Sequence, residues 1–225
     1  MKLIKKGKTK DVYALENGNF MLKFKDDATV GEDGQLDPGG NRVGATIKGL
    51  GLVSLRITKY YFEKINAADF LTQYVDCDLD AGTMTVKPAD FFGKGVEVIC
   101  RLKATGSFIR RYGDYCEEGQ DLDFLVEVSL KDDRRGDPMI TCDTLDMLGI
   151  MSKSEYEKVK SLTKEITKII RDDLVQKGLT LYDIKLEFGR IDGKVALIDE
   201  ISPGCMRVYK DDKWLQAKEL EKYYL

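Results

Sequence analysis

The sequence predicts an α+β protein in two lobes, a mainly antiparallel β lobe over residues 1–102 and an α+β lobe over 103–225. Three observations carry this. Runs of alternating apolar and polar residues crowd the first half, one long stretch of helical period covers 151–178, and the dipeptide Asp192-Gly193 joins two further alternating runs. A period of two marks strands, a period of 3.6 marks a helix, and Asp-Gly between alternating runs marks a tight hairpin.

In order along the chain, residues 12–15 and 20–24 flank Asn17-Gly18-Asn19 and form a first hairpin. Lys8 and Lys10 stand two apart, so on an extended backbone both amines leave one face. The pair reads either as a phosphate contact or as an exposed basic edge strand. Residues 31–51 hold seven glycines and Pro38, too flexible for a core element, and read as a mobile loop over a substrate. Gly49-Leu50-Gly51 lacks the third glycine of a dinucleotide fingerprint. A short helix over 52–65 follows, then strands over 75–86, 95–102 and 124–131. Arg101 closes the second of these strands and leads into Ala104-Thr105-Gly106-Ser107. That turn of small residues either offers N–H groups and a hydroxyl to an anion, with Arg101 beside them, or simply ends the strand. From 151 to 178, Ser152 and Glu155 form a capping box. Val159, Leu162, Ile166, Ile169, Ile170 and Leu174 make the buried stripe, and Gly178 stops the helix.

Composition narrows the chemistry. The chain is 33% charged with a net charge of −3, which leaves no global basic field for nucleic acid. No apolar run reaches the roughly 18 residues of a membrane span, and the polar N-terminus lacks the apolar stretch of a signal peptide. Five cysteines without a Cys-x-x-Cys pair read as reduced thiols of a cytoplasmic protein. Histidine is absent, which removes Ser-His-Asp and Cys-His nucleophiles, His-ligated zinc and imidazole acid–base chemistry. Carboxylates, Lys, Arg and an oxygen-held hard cation remain, which is the inventory of phosphoryl transfer.

The Asp-Gly hairpin concentrates such groups. On residues 181–191, Lys185 and Glu187 share one face while Ile184, Leu186 and Phe188 share the other; on 194–201, Asp199 goes with Val195 and Leu197. A strict two-residue loop sets Glu187 opposite Ile198. A three-residue loop or one bulge sets it opposite Asp199, and two opposed carboxylates then need a cation such as Mg2+. An exposed polar face with a Lys–Glu pair is the alternative.

Several segments in one order, Gly7-Lys8-Thr9-Lys10-Asp11-Val12-Tyr13, Val96-Glu97-Val98-Ile99-Cys100-Arg101 with Ala104-Thr105-Gly106-Ser107, Lys131-Asp132-Asp133 with Asp137-Pro138, and Lys185-Leu186-Glu187-Phe188-Gly189 with Asp199-Glu200-Ile201-Ser202-Pro203, resemble the phosphoribosylaminoimidazole-succinocarboxamide synthase (SAICAR synthetase) family. The resemblance covers residues 7–207. It implies a two-lobed ATP-binding fold with a kinase-like antiparallel N-terminal lobe for the nucleotide. It also implies an ATP- and Mg2+-dependent carbon–nitrogen ligase of purine biosynthesis, joining the aspartate amine to the carboxylate of carboxyaminoimidazole ribonucleotide through an acyl phosphate. By position it implies Lys8, Lys10, Glu97 and Lys131 at the nucleotide, and Glu187 and Asp199 at both nucleotide and Mg2+. Lys185, Glu187 and Asp199 are the implied catalytic group, and Arg101, Ser107, Asp183, Lys185 and Arg207 are implied at the ribonucleotide. It further requires the three-residue or bulged turn, and it implies small-molecule substrates with no nucleic-acid or membrane partner, a homo-oligomer being open.

The chain departs from the family pattern in three places. Gly204-Cys205-Met206 precedes Arg207 where an acidic and a small residue are usual; Asn41-Arg42-Val43-Gly44-Ala45-Thr46-Ile47 lacks the usual lysine and asparagines; and only 18 residues follow Arg207. These differences motivate two alternatives, a paralogous ligase for another acid or amine and a nucleotide-binding protein without turnover.

Overall fold

The computed structural model describes residues 1–30, 40 and 42–225, so residues 31–39 and 41 of the glycine-rich loop lie outside the described residues. The chain opens with β1 (Lys2–Lys6), β2 (Lys10–Ala14) and β3 (Phe20–Phe24), and the β2–β3 hairpin closes as the Asn17-Gly18-Asn19 signal predicts, with Ala14 opposite Phe20. Between β1 and β2 the backbone turns tightly. Gly7 N–H donates to Lys10 O at 2.9 Å, and a Cβ on Gly7 would fall 2.4 Å from that oxygen, so only glycine fits. Lys8 therefore sits in the turn rather than on a strand, and the expected shared face with Lys10 is not formed.

A separate ribbon of β4 (Asp27–Val30) and β5 (Arg42–Thr46) leads to α1 (Leu50–Ala67), which starts before the expected position. The reason is a cap supplied from a distance. The Asp26 carboxylate accepts from the N–H groups of Gly49 and Gly51 at 2.9 and 3.0 Å, satisfying donors that a helix start leaves orphaned. The single strand expected over 75–86 is a hairpin instead, β6 (Tyr74–Asp78) and β7 (Thr83–Val86). Asp78 accepts from Ala81 N–H and Gly82 takes a φ of 69°, which folds the chain back. The first sheet then has the order β1-β2-β3-β7-β6.

The second half supplies β8 (Asp90–Phe91), β9 (Val96–Lys103), α2 (Ser107–Tyr112), β10 (Asp121–Leu130), α3 (Cys142–Met147) and α4 (Lys153–Gln176). It continues with β11 (Thr180–Ile191), β12 (Lys194–Ile198), β13 (Met206–Lys210), β14 (Lys213–Trp214) and α5 (Ala217–Glu221). The capping box at Ser152 and Glu155 is present, with both reciprocal bonds made. The second sheet runs β10-β9-β11-β13-β14, and β8 and β12 also pair with β11. Because β9 pairs on both sides inside this sheet, the change of sheet falls between Val86 and Asp90, ahead of the boundary expected at 102.

Alternation on the second sheet decides where function can sit. Val96, Val98 and Cys100 of β9 and Ile184, Leu186 and Phe188 of β11 are buried in one core with Ile166, Ile170 and Leu174 of α4. The intervening residues Glu97, Ile99 and Arg101, and Asp183, Lys185 and Glu187, are left for the opposite face. Residues 220–224 are anchored on α1: Leu220 is buried, Glu221 pairs with Arg56, and the Tyr224 hydroxyl lies 2.5 Å from that of Tyr61. Among the described residues no helix is long and apolar enough to cross a membrane.

Candidate functional site

Three rungs of the second sheet bring the charged residues together. On the first, Ser129 of β10, Glu97 of β9 and Glu187 of β11 stand side by side; on the second, Glu127, Ile99 and Lys185; on the third, Arg101, Asp183 and Arg207 of β13. Like charges directly opposite, as at Glu97 and Glu187, repel unless cations intervene. Here Lys185 donates to Glu97 at 2.7 Å and Lys131, just past β10, donates to Glu187 at 2.6 Å.

Asp199 joins them by a route the sequence does not disclose. The β11–β12 loop is the strict two-residue turn, with Asp192 and Gly193 at φ 51° and 74°, and Glu187 lies opposite Ile198. The expected three-residue or bulged turn is therefore wrong. The irregularity sits at the other end of β12, where Asp199 takes a φ of 65° and breaks the alternation. Its carboxylate pairs with the Lys10 ammonium at 3.1 Å, while Gln73 donates to its carbonyl at 3.0 Å. Lys10 also pairs with Glu200, a buried carboxylate outside the expected set although its Asp-Glu-x-Ser-Pro segment is part of it.

The electrostatics mark this end as unusual. Burial and the neighbouring Asp199 push the Glu187 carboxyl up, with Lys131 and Lys185 acting against them. Burial also works to raise Asp199, but Lys10 and Lys131 outweigh it and hold that carboxyl down at about 2. Burial disfavours the Lys10, Lys131 and Lys185 ammoniums, yet the surrounding carboxylates keep all three charged well above neutral pH. Two carboxylates whose environments pull their proton affinities apart, ringed by fixed cations, are the arrangement expected where polyanions bind and react.

Around these groups lies a cavity of about 310 Å3. Lys8, Thr9, Glu97, Lys131, Lys185, Glu187 and Asp199 line its charged end, and Lys8 is tethered to Asp133 at 2.9 Å. Its other walls come from Phe24, Lys25 and Asp27 to Thr29, from Ile47, Leu50 and Ser54, and from Trp214 to Lys218. The segment Ser202 to Cys205 forms part of the lining, with Cys205 O accepting from Lys185 N–H at 2.7 Å. Cys205 itself is buried, and burial together with Glu200 pushes its thiol up to about 12. It is neutral and packs as a small apolar group.

The third rung forms a second cluster on the same face. Arg101 is 1% exposed, and its Nε donates to Glu127 at 2.5 Å, Nη1 to Asp183 at 3.0 Å and Nη2 to Ser107 Oγ at 2.8 Å. Asp183 accepts from Arg207 Nη1 at 2.7 Å as well. The expected substrate residues are thus assembled, but Arg101 is largely consumed in holding them; Arg207 is also buried, and Ser107 is half-buried. The turn before Ser107 is followed by α2, not by loop, so Arg111 lies one helical turn beyond Ser107 on the same side. Arg111 and Glu127 are absent from the expected set. The alternation of β10, which puts Glu127 two residues before Ser129, is the signal that points to Glu127.

Among the described residues no three metal-ligating side chains converge. Glu187 and Asp199 suit Mg2+ nonetheless, since that ion takes one or two carboxylates and completes its shell with water and phosphate oxygens.

Known proteins share this sequence pattern and this fold. The family model described as SAICAR synthetase matches residues 3–224. The phosphoribosylaminoimidazole-succinocarboxamide synthase of Clostridium tetani is 58% identical over 224 residues, covering 99% of this chain and 98% of its own length. Among solved structures, a SAICAR synthetase in complex with ADP superposes with a TM-score of 0.85 at 27% identity, covering 98% of this chain and 93% of that one. The SAICAR synthetase of Pyrococcus horikoshii OT3 gives 0.82 at 27% identity, covering 96% and 93%.

Proposed function

The chain belongs to the SAICAR synthetase family, an ATP-dependent ligase of purine biosynthesis that uses Mg2+, and from that premise we propose how its residues divide the work. The nucleotide's phosphates take the charged end of the cavity, beside Lys8 and Lys131, with Lys10 buried against Asp199 and Glu97 fixing Lys185. Glu187 and Asp199 would hold Mg2+, which supplies neutralisation of phosphate charge when bound. The carboxylated imidazole ribonucleotide lies along the same sheet face, its phosphate toward Ser107 and Arg207 and its carboxylate toward Lys185. A succinocarboxamide carries a 1,2-dicarboxyethyl (succino) group on the amide nitrogen, which is the carbon skeleton of aspartate, so the amine is aspartate.

A carboxylate is a poor electrophile. The γ-phosphoryl group passes to it, breaking the bond to ADP and forming an acyl phosphate; the aspartate amine then attacks the acyl carbon, and phosphate leaves with the amide formed. Lys185, kept charged between Glu97 and Glu187, sits where it can pair with the substrate carboxylate and with the charge that builds as phosphate departs. The ammonium groups are held in place before any substrate arrives, so little reorganisation opposes the reaction. The chemistry needs no histidine, and the chain has none.

The observation that carries this reading is the single sheet face on which Glu187, Lys185 and Asp183 follow one another at alternate positions of β11. One strand thereby spans from the metal end to the ribonucleotide end. Purified protein given ATP, Mg2+, aspartate and the carboxylated ribonucleotide is expected to release ADP only when all are present. Nucleotide binding without ADP release would overturn the ligase assignment, and release with other amines but not aspartate would overturn the substrate.

The cavity provides its own reporter. Trp214 is the one tryptophan of the chain and lies in the cavity wall. Titration with Mg-ATP is expected to change its emission saturably, and a Trp214→Phe variant should lose that signal. A flat titration in a protein that turns over would place the nucleotide elsewhere. Localisation in the cytoplasm belongs to the same reading.

A further inference from the structure

We propose that Arg111 is a further binding residue for the phosphate of the ribonucleotide, aimed by Glu127. The inference rests on the ligase reading above and deepens it at one end of the site. Arg111 Nη2 donates to both oxygens of Glu127, at 2.7 and 2.8 Å, and the same carboxylate accepts from Arg101 Nε. Among the described residues, Nε and Nη1 of Arg111 have no hydrogen-bond partner, and its side chain is 31% exposed. Arg101 shows the contrast. Its donors are spent on Glu127, Asp183, Thr105 O and Ser107, and it is buried.

Position supports the same assignment. Ser107 and Arg111 are four apart on α2, so they project from one side of the helix, and Arg101 ties Ser107 to the rung that carries Asp183 and Arg207. Among the described residues, Glu127 pairs with both Arg101 and Arg111, and Asp183 with both Arg101 and Arg207. With Nη2 pinned on Glu127, Nε and Nη1 remain as charged donors that can each give a hydrogen bond to an oxygen of a dianionic phosphate. Glu127 is then a positioning residue, because it touches Arg101 and Arg111 rather than the substrate.

The test compares the carboxylated imidazole ribonucleotide with the matching ribonucleoside, which lacks the phosphate. In Arg111→Ala the preference for the ribonucleotide in kcat/KM should fall by about tenfold or more, since a hydrogen-bonded charge pair is lost. Turnover of the ribonucleoside and KM for ATP should stay within about twofold of wild type. Arg111→Lys should recover part of the preference. Glu127→Gln should lose it in the same direction; should that variant fail to fold, Arg111→Ala suffices, because it leaves Glu127 paired with Arg101. A wild type that discriminates, with Arg111→Ala discriminating equally, overturns this inference alone. A wild type that turns over both compounds equally overturns the placement of the phosphate at this rung, and this inference with it.

Discussion

Replacing Glu187 with glutamine is expected to lower kcat by about a thousandfold or more while leaving the unfolding temperature at neutral pH unchanged or higher. Activity falls because the variant removes one of two carboxylates proposed for Mg2+ and frees Lys131 from its 2.6 Å contact, so both the metal and the phosphate cations lose their positions. Stability moves the other way because of linkage. Burial and Asp199 raise the Glu187 carboxyl in the folded state, and an acid raised on folding destabilises the fold at every pH where the unfolded chain would be ionised. That penalty applies above the unfolded value of about 4.3 and disappears as pH falls through the folded value toward it. The difference in unfolding temperature between the variant and wild type should therefore shrink on acidification from pH 8 toward pH 4. Thermal unfolding across that range, beside ADP release, checks both halves. A variant that keeps wild-type turnover, or that is less stable at pH 8 than at pH 4 relative to wild type, would remove Glu187 from the centre of the site.

How much of this was open to sequence reasoning depends on whether the residue is placed by local periodicity or by a remote contact. The long helix, its Ser152–Glu155 cap and the strand with Lys185 and Glu187 follow from patterns within a few residues, and the structure has them where expected. The single strand expected over 75–86 failed because its apolar content is continuous across a turn that Asp78 and Gly82 make. A spacing of two predicts Lys8 and Lys10 on one face of a strand, whereas the turn at Gly7 takes Lys8 off the strand and toward Asp133 while Lys10 begins β2. At the hairpin the faces were right and the means wrong. Alternation correctly put Glu187 opposite Ile198 for a two-residue loop, and what brings Asp199 to Glu187 is one left-handed residue after the strand. An Asp is among the few non-glycine residues that adopt this conformation readily, but nothing local says which Asp will do so. Glu127 and Arg111 escaped for a related reason: their partners lie 26 and 16 residues away in sequence, on a strand and a helix that only the folded sheet brings side by side.

The second large effect is expected from Gly106→Ala, a substitution of one methyl group. Gly106 adopts φ 55° and ψ −125°, a conformation open to glycine and strained for any L-residue. A Cβ there would also lie 2.6 Å from Arg207 Nη2 and 2.7 Å from its Cζ, so the guanidinium must leave its place against Asp183. Backbone strain of about 1–3 kcal/mol translates into roughly 2–4 °C of unfolding temperature for each kcal/mol in a chain of this size. Function should suffer more than stability. Arg207 is proposed to hold the ribonucleotide phosphate, and its displacement should raise KM for that substrate by about a hundredfold while KM for ATP, bound at the opposite end of β11, stays near wild type. Gly178→Ala separates the two effects. Gly178 has a φ of 70° with open space around the position of a Cβ, so it incurs strain without a clash. It should lower the unfolding temperature and leave both KM values alone. If Gly106→Ala behaves as Gly178→Ala does, losing stability but keeping its affinity for the ribonucleotide, then Arg207 does not touch the phosphate and the contact between Gly106 and the guanidinium is structural only.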